Sequence, residues 1–425
     1  MLTYYIWTIG CQMNKAESQQ LANHLEKSGY KPIPNLKKAD VIIVNTCVVR
    51  QTAEDKVTGL LSYLKGIKDN RPDTKIAVTG CFVDSEIDQL YRKYPHVSLF
   101  FKPGYYDDFY SWVNNSLPFN YNDISIYNEQ SQPSPFSIVS IIQGCNNYCS
   151  YCIVPYRRGR EISREKEDII NELRRMVQNG VQEITLTGQN VNSYGKDIYK
   201  SYGLVDLLRD VNSIDGLLRI RFLTNHPKDM ENKLINELSS LEKVCKHINI
   251  PVQSGNNGIL KLMNRHYTRE SYLEMIERLK RAVPNVSLST DIIVGFPGET
   301  EQQFMDTVDV IKQVEYDVVH VAMYSPRKGT VAYKKYTDNI SQDEKKRRFN
   351  ELESIQESIA IKTNNKLNNE NVIILVEGKK NEKWFGRTES NKLVFFKHDK
   401  NLTGQEIKLK INKTTAWSLQ GEIVK

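Results

Sequence analysis

The chain has 425 residues, of which 40% are hydrophobic and 26% charged, and it carries a formal net charge of +7. No apolar run approaches the ~18 residues of a membrane span, so we expect no membrane association. The N-terminus lacks the charged start and apolar core of a signal peptide, which predicts a cytoplasmic protein. At roughly 150 residues per domain, the length predicts about three domains.

Seven cysteines are present, an odd number without the pattern of a small disulfide-stapled fold. In a reducing compartment, spaced cysteines favour metal binding or catalysis over disulfides.

The first part of the chain, residues 1–118, predicts a doubly wound parallel α/β domain. Apolar runs at 4–9, 41–44 and 76–79 predict strands, and helices are expected over 17–28 and about 50–65. Cys11, Cys47 and Cys81 each follow the end of one strand. Ligands bind at that edge of open α/β sheets, so three thiols on neighbouring strands would meet there. The alternative, three unrelated small residues at strand ends, stays open.

A polar, proline-containing stretch predicts a linker at 119–134, before a second α/β series over 135–363. Strands are expected at 138–143, 183–187, 218–223, 247–251, 286–294 and 318–323, and helices at 164–178, 205–211, 232–241, 269–282 and 301–314. Six βα units predict a partial (βα)6 barrel, with the chemistry at the carboxyl ends of the strands.

Three cysteines with the spacing C-x3-C-x2-C follow the first strand of this series: Cys145, Cys149 and Cys152. Structural zinc normally takes four protein ligands, and no fourth cysteine or histidine lies nearby in the sequence. An iron–sulfur cubane held by three cysteines would leave one iron open for another ligand.

Residues 364–425 predict a small antiparallel β-barrel, with short β-like runs separated by glycine and asparagine. From residue 366 onward there are 12 Lys and Arg against 7 Asp and Glu, with aromatic residues among them. Basic side chains contact phosphates and exposed aromatics stack on unpaired bases, which favours nucleic-acid binding. A solvated face over an aromatic core is the alternative.

Taken together, the motifs resemble the radical S-adenosylmethionine (SAM) methylthiotransferases over nearly the whole chain. The resemblance is carried by GCQMN at 10–14, NTCVVR at 45–50, GC at 80–81, GCNNYCSYC at 144–152, PVQSG at 251–255 and DIIVGFPGET at 291–300. The string GQNVNSYG at 188–195 resembles the MiaB-type branch, which methylthiolates tRNA. The C-terminal region is similar to the TRAM domain, an RNA-binding barrel.

The resemblance implies two [4Fe–4S] clusters and SAM as cofactors. The first cluster is expected on Cys145, Cys149 and Cys152, where it cleaves SAM to a carbon radical. The second is expected on Cys11, Cys47 and Cys81, where it supplies the sulfur. Because the cofactor supplies the difficult chemistry, we expect no acid–base catalytic residue.

Further contacts are expected around these cofactors. Candidate SAM contacts are Tyr151, Gln189 and Gln253, although either glutamine could instead cap a loop. Candidate contacts to substrate phosphates are Arg158, Arg160, Lys383 and Arg387, with a solvated basic surface as the alternative.

The expected reaction is insertion of a methylthio group at ring carbon 2 of isopentenylated adenosine next to the anticodon of tRNA. Expected partners are tRNA, an electron donor and a supplier of sulfur or clusters, and we expect a monomer. One alternative is a sister methylthiotransferase acting on threonylcarbamoyl-adenosine in tRNA or on a ribosomal protein. Another is a non-catalytic RNA-binding iron–sulfur protein.

Overall fold

The computed structural model describes residues 2–48, 51–83, 86–115 and 134–424 and divides into two compact units. The described part of the first unit comprises residues 2–48, 51–83, 86–115, Gln143–Tyr148 and Cys152–Ile162. That of the second comprises 134–142, Cys149–Tyr151 and 163–424. The predicted linker lies outside the described residues except for Ser134. Within the described residues, no helix is long and apolar enough to cross a membrane.

The first unit contains a five-stranded parallel sheet in the order β2-β1-β3-β4-β5. Its strands are β1 (Thr3–Thr8), β2 (Lys31–Pro32), β3 (Val41–Thr46), β4 (Lys75–Gly80) and β5 (Leu99–Phe100). Its helices are α1 (Gln12–Lys27), α2 (Gln51–Asn70), α3 (Ile87–Lys93) and α4 (Asp107–Asn115).

The central strand β3 is buried on both faces because its side chains alternate between two cores. Ile42 and Val44 pack in a core that includes Leu61 of α2. Ile43 packs on the opposite face, in a core that includes Leu21 of α1. Each fully buried aliphatic side chain contributes about 1.5–3 kcal/mol. Helices therefore cover both faces of the sheet, which confirms the predicted doubly wound domain.

The second unit begins with two parallel three-stranded sheets in the orders β6-β9-β10 and β11-β12-β13. An isolated parallel bridge joins Ile220 of β10 to Val244, just ahead of β11. The strand bounds are β6 (Phe136–Ser140), β7 (Ile142–Gln143), β8 (Ile162–Ser163), β9 (Glu183–Thr187), β10 (Arg219–Phe222), β11 (His247–Asn249), β12 (Ser287–Val294) and β13 (Val318–Met323). The six predicted barrel strands are confirmed, although the first one is interrupted at Ile141.

The helices of this region are α5 (Val154–Arg158), α6 (Lys166–Gln178), α7 (Leu204–Asn212), α8 (Asn232–Glu237), α9 (Asn257–Leu262), α10 (Arg269–Ala282), α11 (Glu301–Val314), α12 (Val331–Lys335) and α13 (Gln342–Asn365). The five predicted helices are present. Helix α13 was not predicted from the sequence; it has 24 residues and begins directly after the N-cap Ser341. Its buried face includes the polar residues Lys345, Arg348 and Gln356. The helical spacing of apolar residues that predicts an amphipathic helix is therefore weak in this segment.

The C-terminal region is a closed barrel in the order β14-β15-β16-β18-β17. Its strands are β14 (Asn371–Lys380), β15 (Lys383–Arg387), β16 (Leu393–Phe396), β17 (Glu406–Thr414) and β18 (Leu419–Ile423). The prediction of a barrel is confirmed, but it is not wholly antiparallel, because β16 and β18 pair in parallel. Trp384 and Phe396 lie in its core, as the aromatic-core alternative predicted.

Two arginines of β10 attach this small barrel to the strand series. Arg219 and Arg221 are two residues apart and so share one face, opposite the core residues Ile220 and Phe222. Arg219 donates to Glu406 Oε1 at 2.7 Å and to the carbonyl of Arg387 at 2.6 Å. Arg221 donates to the carbonyl of Thr388 at 2.8 Å and to Glu183 Oε1 at 2.8 Å.

Candidate functional site

The three cysteines of the first unit lie at one edge of its sheet. Thr46 is in register with Gly80, so Cys47 and Cys81 are the next residues on adjacent strands. Cys11 follows β1, which pairs with β3 on its other side, and occupies the N-cap position of α1. Cys47 and Cys81 are buried and Cys11 is exposed, and none of these three described cysteines forms a disulfide.

Two buried asparagines tie the loops of Cys11 and Cys47 together. Asn14 donates to Asn45 Oδ1 at 2.9 Å and to the carbonyl of Thr46 at 2.8 Å. Asn45 returns a bond to the carbonyl of Asn14 at 2.8 Å. Buried amides with satisfied partners resist displacement, so the first turn of α1 is locked to the end of β3.

The glycines that precede two of these cysteines are required by the close approach of the backbone. A Cβ at Gly10, where φ is +133°, would lie 2.8 Å from the Cβ of Cys47. A Cβ at Gly80, where φ is +91°, would lie 2.3 Å from the carbonyl oxygen of Thr46. Both positions combine a left-handed backbone with a contact that excludes any side chain.

Arg158 is buried beside these cysteines, and its side chain is 1% exposed. It forms a bidentate ion pair with Glu17, and its Nε donates to Cys81 Sγ at 3.4 Å. Burial alone would lower the pKa of this guanidinium, but Glu17 and the thiols outweigh burial and raise it. Arg158 is a predicted phosphate contact, and its burial and its pairing with Glu17 make it a poor one. Glu17 was not predicted, because its partner lies 141 positions away.

The C-x3-C-x2-C loop has part of its backbone in the first unit. Cys145 is buried, and its N–H donates to the carbonyl of Gly159 at 3.1 Å. Gly144 has a φ of +79°, and a Cβ there would lie 1.9 Å from the carbonyl oxygen of Arg160. The glycine before the first cysteine is therefore fixed by this return of the chain.

The middle of the loop belongs to the second unit. Ser150 Oγ donates to the carbonyl of Leu262 at 2.7 Å, and the carbonyl of Ser150 accepts from Ala332 N at 2.7 Å. Cys149 is buried, and its Sγ accepts from Arg265 Nη1 at 3.3 Å. These bonds fix the position of the Cys149 thiol.

Arg265 is buried and makes three further directed contacts. Its guanidinium donates to the Tyr267 hydroxyl at 2.8 Å and to the carbonyl of Pro251 at 2.9 Å, and it stacks over the Tyr267 ring. Among the described residues, no carboxylate lies within ion-pair distance of Arg265. A buried arginine stays protonated, so the site favours a negative group at Cys149. Thiolates that carry an iron–sulfur cluster fit this requirement.

No three His, Cys, Asp or Glu side chains are arranged to share a single metal ion in the part of the chain that the structure describes. In a cubane cluster, by contrast, each cysteine is bound to a different iron.

The predicted SAM contacts occupy different settings. Tyr151 is half-buried and packs against a cluster that contains Met263 and Phe296. Gln253 has a φ of +68° and is held between two backbone bonds, from its N–H to Asp291 O and from Ile293 N to its own carbonyl. Gln189 is half-buried and lies two residues after the end of β9.

Buried polar atoms without a hydrogen-bond partner lie at and just after the ends of β9 and β10, among the described residues, and they were not predicted as contacts. Within the described residues, no hydrogen-bond partner is found for Thr187 Oγ1, Asn190 Oδ1, Asn225 Oδ1 and His226 Nε2, all of which are buried. The pKa of His226 falls to about 2, chiefly because of burial, so the ring is neutral. Its Nδ1 accepts from Lys228 N, which leaves a proton on Nε2. One ring N–H donor, two amide oxygen acceptors and one hydroxyl that can donate or accept suit a polar ligand.

The loop after β12 is fixed by buried charges of α13. Glu299 accepts from Gly295 N at 2.7 Å and from Arg348 Nη1 at 2.7 Å. Lys345 is fully buried and donates to both oxygens of Asp338 at 2.7 Å. The helix that sequence analysis missed therefore holds one of the strand-end loops.

The remaining candidate phosphate contacts differ in accessibility. Arg160 is exposed. Lys383 is half-buried and donates to Gln420 at 3.3 Å. Arg387 is committed to Glu377 at 3.2 Å and to the carbonyl of Asn391 at 3.2 Å, so it is a poorer phosphate contact than Arg160.

Comparison with known families places three matches along the chain. Residues 139–311 match the Radical SAM superfamily, residues 3–102 match the uncharacterized protein family UPF0004, and residues 366–424 match the TRAM domain. The fold is similar to that of the radical SAM methyltransferase TsrM from Kitasatospora setae, with a TM-score of 0.56 at 14% identity over 78% of this chain and 77% of that one. The family match over residues 139–311 and the cysteine loop within it together define a radical SAM protein.

The full-length relatives narrow this class. A tRNA-2-methylthio-N(6)-dimethylallyladenosine synthase from Dehalococcoides mccartyi is 45% identical over 99% of this chain and 98% of that protein. One from Clostridium tetani is 43% identical over 99% of this chain and 96% of that protein. The chain belongs to this family of radical SAM transferases. Membership implies a [4Fe–4S] cluster and SAM.

Proposed function

We propose that this chain inserts a methylthio group at ring carbon 2 of isopentenylated adenosine next to the anticodon in tRNA. The observation that carries the proposal is the similarity to the synthases over nearly the full length of both chains. The two sets of three cysteines support it, since one cysteine of each set accepts a hydrogen bond from a buried arginine.

Cys145, Cys149 and Cys152 would hold a [4Fe–4S] cluster with one iron left for SAM. Cys11, Cys47 and Cys81 would hold a second cluster in the same manner. A reduced cluster of this kind supplies the one-electron cleavage of SAM that yields a carbon radical able to attack an aromatic C–H bond.

The residues of the chain position and enclose these groups. Arg265 fixes Cys149 and balances negative charge at its thiolate. Asn14, Asn45 and the adjoining glycines hold the other three cysteines at one sheet edge. The unpartnered polar atoms after β9 and β10, together with Tyr151, Gln189 and Gln253, would bind the polar parts of SAM or the substrate base.

The C-terminal barrel would bind tRNA through its net positive surface. Among the candidates, Arg160 and Lys383 remain the better contacts, because Arg158 and Arg387 are committed to carboxylates. The proposal includes an external electron donor, a supplier of sulfur or clusters, a cytoplasmic location and a monomeric chain. The domain boundaries at 118, 134 and 363 remain part of the proposal.

Nucleoside mass spectrometry of tRNA from cells that lack this chain tests the substrate. We expect the methylthio-isopentenyl nucleoside to disappear and the isopentenyl nucleoside to accumulate. Persistence of that nucleoside with loss of a methylthio-threonylcarbamoyl product, or of a modified ribosomal protein, would instead identify a sister enzyme. Purified, reconstituted protein that fails to cleave SAM under strong reductant would favour the non-catalytic iron–sulfur alternative.

A further inference from the structure

Each set of cysteines has a buried arginine hydrogen-bonded to one thiol, but the two arginines differ in how their charge is balanced. Arg158 donates to Cys81 Sγ at 3.4 Å, and Arg265 donates to Cys149 Sγ at 3.3 Å. Arg158 and Arg265 are only 4% and 7% exposed. Neither charge is therefore screened by water.

At the sheet-edge cysteines Cys11, Cys47 and Cys81, the charge of the neighbouring Arg158 is already matched by a carboxylate. Both nitrogens at the end of Arg158 pair with Glu17, whose side chain is 4% exposed. Arg157 also interacts electrostatically with Cys81 and with Glu54. The charge of Arg158 beside Cys81 is thus matched by the carboxylate of Glu17.

At the cysteines of the C-x3-C-x2-C loop, the charge of Arg265 has no such match among the described residues. The neutral partners of Arg265 are the Tyr267 hydroxyl and the carbonyl of Pro251. In the described part of the second unit, no carboxylate pairs with it. A buried unpaired charge is costly, and the negative group that relieves this cost is whatever Cys149 holds.

Adding an electron to a cluster adds one negative charge to it. An unmatched arginine beside the cluster stabilises the reduced form, because Coulomb interactions are strong in a buried site. An arginine already neutralised by a glutamate gives much less of this stabilisation. Hydrogen bonds to cysteine sulfur and nearby charge are among the factors that set cluster potentials.

We propose that Arg265 and the Arg158–Glu17 pair set the order in which the two clusters accept an electron. The cluster on Cys145, Cys149 and Cys152 is reduced first, and the one on Cys11, Cys47 and Cys81 stays oxidised. This rests on the cluster assignments of the proposed function. The step adds one electron from a low-potential external donor, a reduced flavoprotein or dithionite, and no bond forms or breaks in it.

The functional consequence is that the electron resides where SAM is cleaved. The sulfur-carrying centre is spared a reduction that would compete for the same donor. Arg265 and Glu17 are in this sense positioning residues, since they act through the charge they place beside a ligand thiol.

Redox titration of the full chain, followed by electron paramagnetic resonance, tests the proposal. To study one cluster at a time, the three cysteines that would hold the other cluster are replaced with alanine. Iron content is measured for every variant. Arg265→Met is expected to lower the reduction potential of the cluster on Cys145, Cys149 and Cys152 by at least about 59 mV. For one electron, that shift corresponds to a tenfold change in the reduction equilibrium. Arg265→Lys keeps the charge and should recover most of that shift.

At the other cluster the expected shift has the opposite sign. Glu17→Gln leaves the charge of Arg158 without a matching carboxylate. It should therefore raise the reduction potential of the cluster on Cys11, Cys47 and Cys81 by a similar amount. Two exposed positions provide matched controls, Arg278→Met on α10 and Glu26→Gln on α1, and neither should shift a potential tenfold.

The outcomes separate this proposal from the one it rests on. If the variants that keep only one set of three cysteines hold no iron–sulfur cluster, the cluster assignments are wrong. Clusters that assemble with potentials unmoved by Arg265→Met and Glu17→Gln would overturn only the charge-ordering proposal. If Arg265→Met loses iron, the Glu17→Gln titration decides alone, and an unchanged or lowered potential contradicts the proposal.

Discussion

Replacing Arg219 with methionine should loosen the C-terminal barrel while leaving the rest of the second unit folded. Methionine retains most of the apolar packing of the arginine stem but removes its hydrogen bonds. Arg219 makes two bonds to Glu406 Oε1, at 3.0 and 2.7 Å, and one to the carbonyl of Arg387 at 2.6 Å.

The magnitude follows from the exposure of the partners. The Glu406 side chain is 40% exposed, so water would replace the lost ion pair and that loss is worth about 1 kcal/mol. The carbonyl of Arg387 loses a charged donor, which costs about 1–2 kcal/mol. We therefore expect a loss of about 2–3 kcal/mol in the attachment of the barrel.

Limited proteolysis under native conditions measures this attachment, because cleavage tracks the population of the locally opened state. A loss of 2–3 kcal/mol corresponds to roughly 30- to 150-fold faster release of the C-terminal fragment. Arg278→Met on α10 is the control and should leave the rate unchanged. A rate for Arg219→Met equal to that of the unaltered protein would refute this account of the attachment.

Three further changes are predicted from single residues. Gly80→Ala should destabilise the first unit by about 1–3 kcal/mol in denaturant titration, because the new Cβ meets the carbonyl of Thr46. The control Gly29→Ala, at φ +83° in open space, should destabilise it less. Equal losses of stability would contradict the clash at Gly80. Burial holds the pKa of His247 at about 3, so as pH falls below 6.5 this histidine is protonated in the unfolded chain before it is protonated in the folded one. The free energy of unfolding should therefore fall by up to about 1.4 kcal/mol per pH unit between pH 6.5 and 3. His247→Gln should flatten this loss, and an unchanged pH profile would contradict it. Asn14→Ala should lower iron content at the sheet-edge cysteines alone, and equal loss at both sets would contradict the role of its bonds to β3.

The architecture could be predicted because its signals are local. Continuous apolar strands and amphipathic helices mark both α/β series, and each set of cysteines follows a strand end. The interruption at Ile141 and the parallel pairing of β16 with β18 depend on tertiary contacts that no short window contains.

The electrostatic partners could not be predicted for the same reason. Glu17 and Arg158 lie 141 positions apart, and Cys149 and Arg265 lie 116 apart. From the sequence, Arg158 is one member of a basic turn and α13 is a polar stretch. Only the fold reveals that these charged residues are buried and what each one balances.

The division of labour between the two sets of cysteines is the central claim. Its most direct test measures 5′-deoxyadenosine release and methylthio insertion into isopentenylated tRNA for reconstituted Cys149→Ala and Cys47→Ala proteins. Cys149→Ala should lose both activities, whereas Cys47→Ala should still cleave SAM and should fail to insert the methylthio group. The same pattern of loss in both variants would contradict the account.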